Sequence, residues 1–191
     1  VLIVLERLGV LPDLTTDLVE TDEVLREQIA THAGDIPTDR NPAKRIALAL
    51  LGKVPVVWGQ EGPLAVAASR WKTQLNENAK VPAYAASAPE LAHNEIVGFW
   101  PGADAPSKLA VVTLRSSTEH PRVAQRLDAA TRLVGDRVGA MQVAHARGSS
   151  VLAQLASAAL VGDLVSVYLA LLRGVDPSPV EAITRLKSEL T

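Results

Sequence analysis

Histidine, asparagine and glutamate stand side by side in Pro89-Glu90-Leu91-Ala92-His93-Asn94-Glu95-Ile96-Val97-Gly98, in an otherwise apolar setting. A carboxylate at the edge of a dry cleft can be tuned toward neutral pH and act as a general base. Glu95 is the candidate for that role. The alternative makes Glu95 a solvated helix residue and His93 a cap or core partner. A second polar stretch is Ser116-Ser117-Thr118-Glu119-His120-Pro121-Arg122. Ser or Thr ahead of Glu and Pro makes a helix start. A helix N-terminus can hold an anion, and His120 can serve as acid or base near neutral pH. The alternative here is a capping turn with an exposed histidine. The third stretch is the tail from Asp176 to Lys187. Ile183, Leu186 and Leu190 form an apolar stripe with Lys187 beside it, where a lysine ordinarily complements the helix dipole.

Two weaker signals accompany these. The turn Gly59-Gln60-Glu61-Gly62 offers a cradle for a polar ligand and makes Gln60 a binding candidate. The helix end from Arg70 to Lys80 carries Gln74, Asn76 and Asn78. Asparagine competes for backbone hydrogen bonds inside helices. Its presence there points to buried contacts at a site or subunit interface, or else to a frayed last turn. The chain has no G-x-G-x-x-G, no P-loop and no G-x-S-x-G elbow. None of His32, His93, His120 and His145 pairs with another at i, i+4, and nothing local supports a metal site.

The elements that must position these groups alternate. Residues 1 to 32 read as helix, broken at Leu11-Pro12 and restarted at Thr15. In the second piece Leu18, Leu25 and Ile29 share a face. A polar linker runs from Gly34 to Pro42. Helices are expected over 42–51, 63–80, 89–98, 119–134, 149–162, 163–172 and 177–190. Strands are expected over 54–58, 82–87, 109–114 and 137–144. Apolar strands separated by helices predict a doubly wound, mainly parallel α/β sheet with helices on both faces, preceded by a helical arm. The organisation is thus an arm and linker over 1–40 and an α/β domain over 41–191. Ligands of such sheets bind beyond the strands' carboxyl ends. That edge would carry residues 59–62, 87–89, 115–120 and 145–150.

Composition narrows the function. The 191 residues include no cysteine, three Trp, two Tyr and one Phe, and carry a net charge of −2. Disulfide frameworks and cysteine zinc sites are excluded, and the usage suits a reducing, cytoplasmic setting. The charge balance gives no footprint for nucleic acid or an anionic membrane. So few aromatics cannot build an extended base-stacking platform. The opening apolar run Val1 to Leu5 is too short to span a membrane and lacks the basic start of a signal peptide. Val1 in place of Met reads as a fragment or processed product.

As a set, RWKTQLNENAKVPA, PELAHNEIVGF, LRSSTEHPRV and GDLVSVYLALLRGVDPSPVEAITRLK resemble the carboxyl-terminal half of the bifunctional phosphoglucose/phosphomannose isomerase family, which has the sugar isomerase (SIS) fold. They run in the family's order over roughly residues 41 to 191. The resemblance implies interconversion of aldose and ketose hexose 6-phosphates through a cis-enediol, with no metal, nucleotide or other cofactor. It implies Glu95 as the base between C1 and C2. It gives His120 ring opening, reaching the site of a partner subunit, and Lys187 the ring-oxygen side. Gln60 and His93 are the substrate-binding candidates, and His93 competes with His120 for the ring-opening role.

In that family two SIS domains face each other, and Ser/Thr-rich loops of the amino-terminal one hold the phosphate. Such a half would lie upstream of Val1, so little activity is expected of this chain alone. A homodimer is expected. The contrasting reading is a non-catalytic SIS module that binds a sugar phosphate and regulates or scaffolds. A third is a purely structural dimerisation domain.

Overall fold

The computed structural model describes residues 1–100 and 106–190. Helices α1 (Leu2–Arg7) and α2 (Thr15–His32) precede α3 (Pro42–Leu50), β1 (Val54–Gln60) and α4 (Pro63–Glu77). β2 (Tyr84–Ala88), β3 (Leu109–Arg115), α5 (Pro121–Gly135) and β4 (Ala140–His145) follow, then α6 (Val151–Leu172) and α7 (Glu181–Glu189). Proline at the first turn of α3, α4 and α5 sets each helix start, where its missing N–H leaves no bond unmade. Asn41 caps α3 by accepting from Lys44 N, and Ser150 caps α6 by accepting from Ala153 N.

All strands pair in parallel, in the order β2-β1-β3-β4. β1 and β3 are central and buried on both faces, as their unbroken apolar runs require. Val57, Ala110, Val112 and Leu114 face a core shared with α3, α4 and α6. Val56, Trp58 and Val111 face the opposite core, with α5 and the 3₁₀ turns Glu90–Ala92 and Glu95–Phe99. The sheet is therefore doubly wound, with helices on both faces. β1 leads out toward β2 and β3 toward β4, so the winding reverses between β1 and β3.

α6 is the centre of one layer. It is long and apolar enough to cross a membrane by composition, yet α2, α3 and α4 pack around it. Two helices expected over 149–162 and 163–172 are one helix, because Gly162 does not end it. A Cβ on Gly162 would lie 2.3 Å from the Trp71 ring of α4. Trp71 is fully buried, and its Nε1 donates to Ala158 O at 2.7 Å. The glycine is there for close helix approach rather than for a stop.

Other expectations shift for identifiable reasons. The stretch 89–98 forms two 3₁₀ turns after a cis Ala88–Pro89 peptide rather than one helix. The face of α2 turned to the domain carries Thr21, Gln28 and His32, and Ile29 is exposed. Backbone carbonyls of α2 itself meet two of these side chains, Thr21 and His32. Thr21 donates to Asp17 O at 2.6 Å, and Tyr168 of α6 donates to His32 O. The amide-rich end of α4 is used within the chain. Asn76 Nδ2 donates to Val81 O at 2.8 Å, and Asn78 Nδ2 to Ser166 Oγ at 2.8 Å.

Glu20 fastens α2 across the start of α6. Its carboxylate accepts from Ser149 N at 2.6 Å and Ser150 N at 2.9 Å. Bonds from Ser150 and then from the Ser149 N–H bring its pKa down from 4.5 to about 2. A folded-state value below the unfolded one contributes stability above 4.5 and loses it as pH falls toward about 2. The stability difference between wild type and Glu20→Gln, read from urea midpoints, is expected to be full above 4.5 and to vanish near pH 2. Gly162→Ala should lower stability by about 1–3 kcal/mol through overpacking against Trp71. A thermal midpoint within a degree of wild type would refute this.

Candidate active site

The carboxyl ends of β2, β1 and β3 lie side by side and carry most of the candidate groups. Gly59 lets the first turn of α4 approach β1 closely, since a Cβ at this position would lie 2.5 Å from Leu64 O. Gln60 closes β1 and reaches across to the β3 side, where its Oε1 accepts from His120 N at 3.0 Å. His120 caps α5 through Nδ1, which accepts from Arg122 N at 3.3 Å. An accepting Nδ1 leaves the proton of the neutral ring on Nε2, so the outward nitrogen is a donor. The cap of α5 is therefore His120 itself rather than the Ser or Thr expected from the sequence, and its ring is exposed.

The loop between β3 and α5 is tightly bonded. Arg115 Nε donates to Glu119 at 2.9 Å and its other arm pairs with Asp128. Glu119 also accepts from Ser116 N at 2.6 Å. Gln154 of α6, 2% exposed, fills the centre of this loop. Its Oε1 accepts from Ser116 Oγ and, at 2.9 Å, from Thr118 Oγ1. Its Nε2 donates to Ser117 Oγ at 3.0 Å and Gly148 O at 3.1 Å. The space left between Gln60, Ser116, Thr118 and Gln154 is about 30 Å³, room for one water. The Ser116 and Thr118 hydroxyls donate to Gln154, while Ser117 accepts from it and, like Thr118, stays exposed at the surface. Sequence reading missed Gln154, because a lone glutamine in an apolar helix carries no local motif.

Glu95 opens the second 3₁₀ turn beyond β2. Its N–H donates to Asn94 Oδ1 at 2.6 Å, and Asn94 Nδ2 donates to Glu90 Oε1 at 3.0 Å. Asn94 thereby holds the Glu95 backbone and the Glu90 carboxylate. A separate concavity of about 200 Å³ lies between Ser87, Glu90, Asn94 and Glu95. Partial desolvation pushes the Glu95 carboxyl above its ordinary 4.5, because losing some of its water disfavours the anion. The side chain remains open at the surface, so a ligand can reach it. His93 is exposed and closes the preceding 3₁₀ turn, its N–H donating to Glu90 O at 2.8 Å.

Gln60 and His120 are thus in contact, with Glu95 on the same edge of the sheet. Lys187 is not gathered there. The chain leading to α7 is tied to the end of α4, where Lys80 Nζ donates to Pro179 O at 2.6 Å. The first turn of α7 borders Asn76, Glu77 and Lys80. α4 runs antiparallel to β1, so this is the amino edge of the sheet. Ile183, Leu186 and Leu190 of the tail are all exposed.

The family described as Bacterial phospho-glucose isomerase C-terminal SIS domain matches residues 39–190. The bifunctional phosphoglucose/phosphomannose isomerase of Caldicellulosiruptor bescii is 36% identical over 184 residues, covering 96% of this chain and 54% of that protein. Its namesake in Aquifex aeolicus is 36% identical over 188 residues, covering 98% and 55%. The chain spans about half the length of these curated relatives. Among solved structures, a glucose-6-phosphate isomerase like protein from Thermus thermophilus superposes with a TM-score of 0.73 at 25% identity, covering 97% of this chain and 59% of that one. With its doubly wound sheet, its polar carboxyl edge and a match over most of its length, the chain belongs to the bacterial phospho-glucose isomerase C-terminal SIS domain family.

Proposed function

We propose that this chain supplies the proton-transfer half of a hexose 6-phosphate isomerase, which converts glucose 6-phosphate or mannose 6-phosphate to fructose 6-phosphate. The observation that carries the reading is Glu95, an open carboxylate at the sheet's carboxyl edge whose basicity is raised by burial. Aldose-to-ketose conversion takes the proton from C2 as O1 gains one, giving a cis-enediol; C1 then gains a proton as O2 loses one. One carboxylate can do both, taking the proton from C2 and returning it to C1 on the same face. A base whose pKa lies above the ordinary carboxylate value does this better near neutral pH.

Ring opening needs a proton at the ring oxygen. The Nε2–H of His120 is a suitable donor, and Gln60 holds the backbone of that residue in place. His93 stands beside the Glu95 turn as a substrate contact. Because α7 begins at the amino edge of its own sheet, Lys187 in this reading works at the ring oxygen of a site shared with another domain or subunit. The exposed stripe Ile183, Leu186 and Leu190 supports such a shared assembly, a homodimer of two-domain chains. The bonds from Ser116 and Thr118 to Gln154 support a phosphate contact outside this chain.

The test is a coupled assay of the protein joined to an upstream SIS domain. Glu95→Gln should lower kcat about 10²–10⁴-fold, the usual span for a general base. Unchanged turnover in that variant would end the proposal. The acid limb of the kcat/KM profile should lie above 4.5, since the base works only when deprotonated and burial raises its pKa. A limb at or below that value would contradict the role of Glu95. Residues 1–191 alone should turn over fructose 6-phosphate far more slowly than the joined form, and equal rates would place the phosphate site within this chain.

A further inference from the structure

Gln28 sits on the inner face of α2, 1% exposed, and its Oε1 has no hydrogen-bond partner. Buried polar atoms are nearly always paired, so an orphaned acceptor asks for a donor that the chain does not supply. Gln28 lines a cleft of about 230 Å³ between α2, α3, α6 and the edge strand β4. A water needs about 30 Å³. The cleft therefore holds more than a bridging water, yet less than a drug-sized ligand, whose pockets run to roughly 300–1,000 Å³.

The other polar groups of the cleft are mostly donors. Arg45 of α3, His145 at the end of β4 and Arg147 just beyond it line the cleft. Among the described residues, none of these three side chains makes an ion pair or hydrogen bond. His32, 3% exposed, completes the lining. Its Nδ1 lies 2.9 Å from Gln28 O, a carbonyl that can only accept, so Nδ1 carries the proton and Nε2 is an acceptor. Burial and then the nearby Arg147 charge hold His32 below its ordinary 6.5, which keeps the ring neutral. Two guanidinium groups thus face the same space as two buried acceptors. The guanidinium forks suit a phosphate or carboxylate, and the acceptors suit hydroxyl groups.

We propose that this cleft binds a small hydroxylated anion, a phosphorylated or carboxylated polyol of triose size. Arg45 and Arg147 take its anionic end, and Gln28 Oε1 accepts from a hydroxyl. The cleft lies beside β4, and Glu95 follows β2 at the other margin of the sheet. Three strand spacings, about 14 Å, separate the two. The proposal is independent of the isomerase reading.

The test is titration of the full chain with glycerol 3-phosphate, glycerate, inorganic phosphate and glycerol, followed by amide chemical shifts. Glycerol 3-phosphate or glycerate should shift residues of α2, α3 and β4 at millimolar concentration, and glycerol should not. The first two distinguish a phosphate-bearing from a carboxylate-bearing ligand. Phosphate should bind several-fold more weakly than glycerol 3-phosphate. The double variant Arg45→Ala/Arg147→Ala changes exposed side chains and should weaken binding about tenfold or more, as loss of charge-assisted bonds predicts. Gln28→Met should bring glycerol 3-phosphate down to the affinity of phosphate. Should that variant fail to fold, the arginine pair and the phosphate comparison decide. No binding at millimolar concentration means that the cleft holds water only and overturns the proposal. So does binding unaffected by the arginine changes, equal affinity for phosphate and glycerol 3-phosphate, or shifts confined to the Gln60 and Glu95 edge.

Discussion

The crossing of α4 on α6 is the contact that sets the geometry of this domain. Trp71 lies close enough on Gly162 that no side chain fits between them, and its indole N–H is satisfied by Ala158 O. A tryptophan buries much apolar area but needs a partner for its N–H. Here the small residues of α6 admit the ring and a carbonyl of the same helix takes its hydrogen. That approach sets the distance between the two helices over the sheet. The residues of β1 and β3 facing them are aliphatic, Val57, Ala110, Val112 and Leu114, with no aromatic ring among them. The other face is filled differently, by Trp58 edge-on to Phe99 at 5.7 Å.

The same helix determines what the carboxyl edge can do. α6 begins just after Ser150, beneath the loop that follows β3, and one turn later delivers Gln154 into it. Four bonds from that one amide hold Ser116, Ser117, Thr118 and the Gly148 carbonyl together. A Ser/Thr loop at the point where the sheet's winding reverses is where a ligand would be sought in a doubly wound fold. In this domain the position is filled from within. The groups left for a ligand stand to its sides: His120 and Gln60 toward β1, and Glu95 beyond β2. A rigid, self-satisfied centre with reactive groups at its margin suits a domain that shares a site with another, since the margin is where a second surface can close.

Periodicity made much of this legible. The apolar runs of β1 and β3 need burial on both faces, so a parallel sheet between helix layers followed from them. Prolines at positions 42, 63 and 121 announced helix starts, because a residue without N–H loses nothing there. Glycine misled at position 162. A glycine after a helical stretch ordinarily reads as a terminus, and only the Trp71 ring, distant in sequence, explains it otherwise. The inner face of α2 misled in the opposite sense. Leu18 and Leu25 are half-buried on that face as expected, but Ile29 is exposed and the fully buried positions are Thr21, Gln28 and His32.

The class of fold and most of the order of its elements were readable from the chain, since they depend on local periodicity; the candidate proton-moving side chains were named from residue chemistry alone. Which of those side chains meet was a matter of packing. Folding brought Gln60 to His120, sent the tail bearing Lys187 to the opposite edge, closed the Ser116–Thr118 loop with Gln154 and left Gln28 Oε1 unpaired in a cleft lined by two arginines. Each of these outcomes depends on where helices cross, and crossing geometry is set by long-range packing that no short stretch of sequence records.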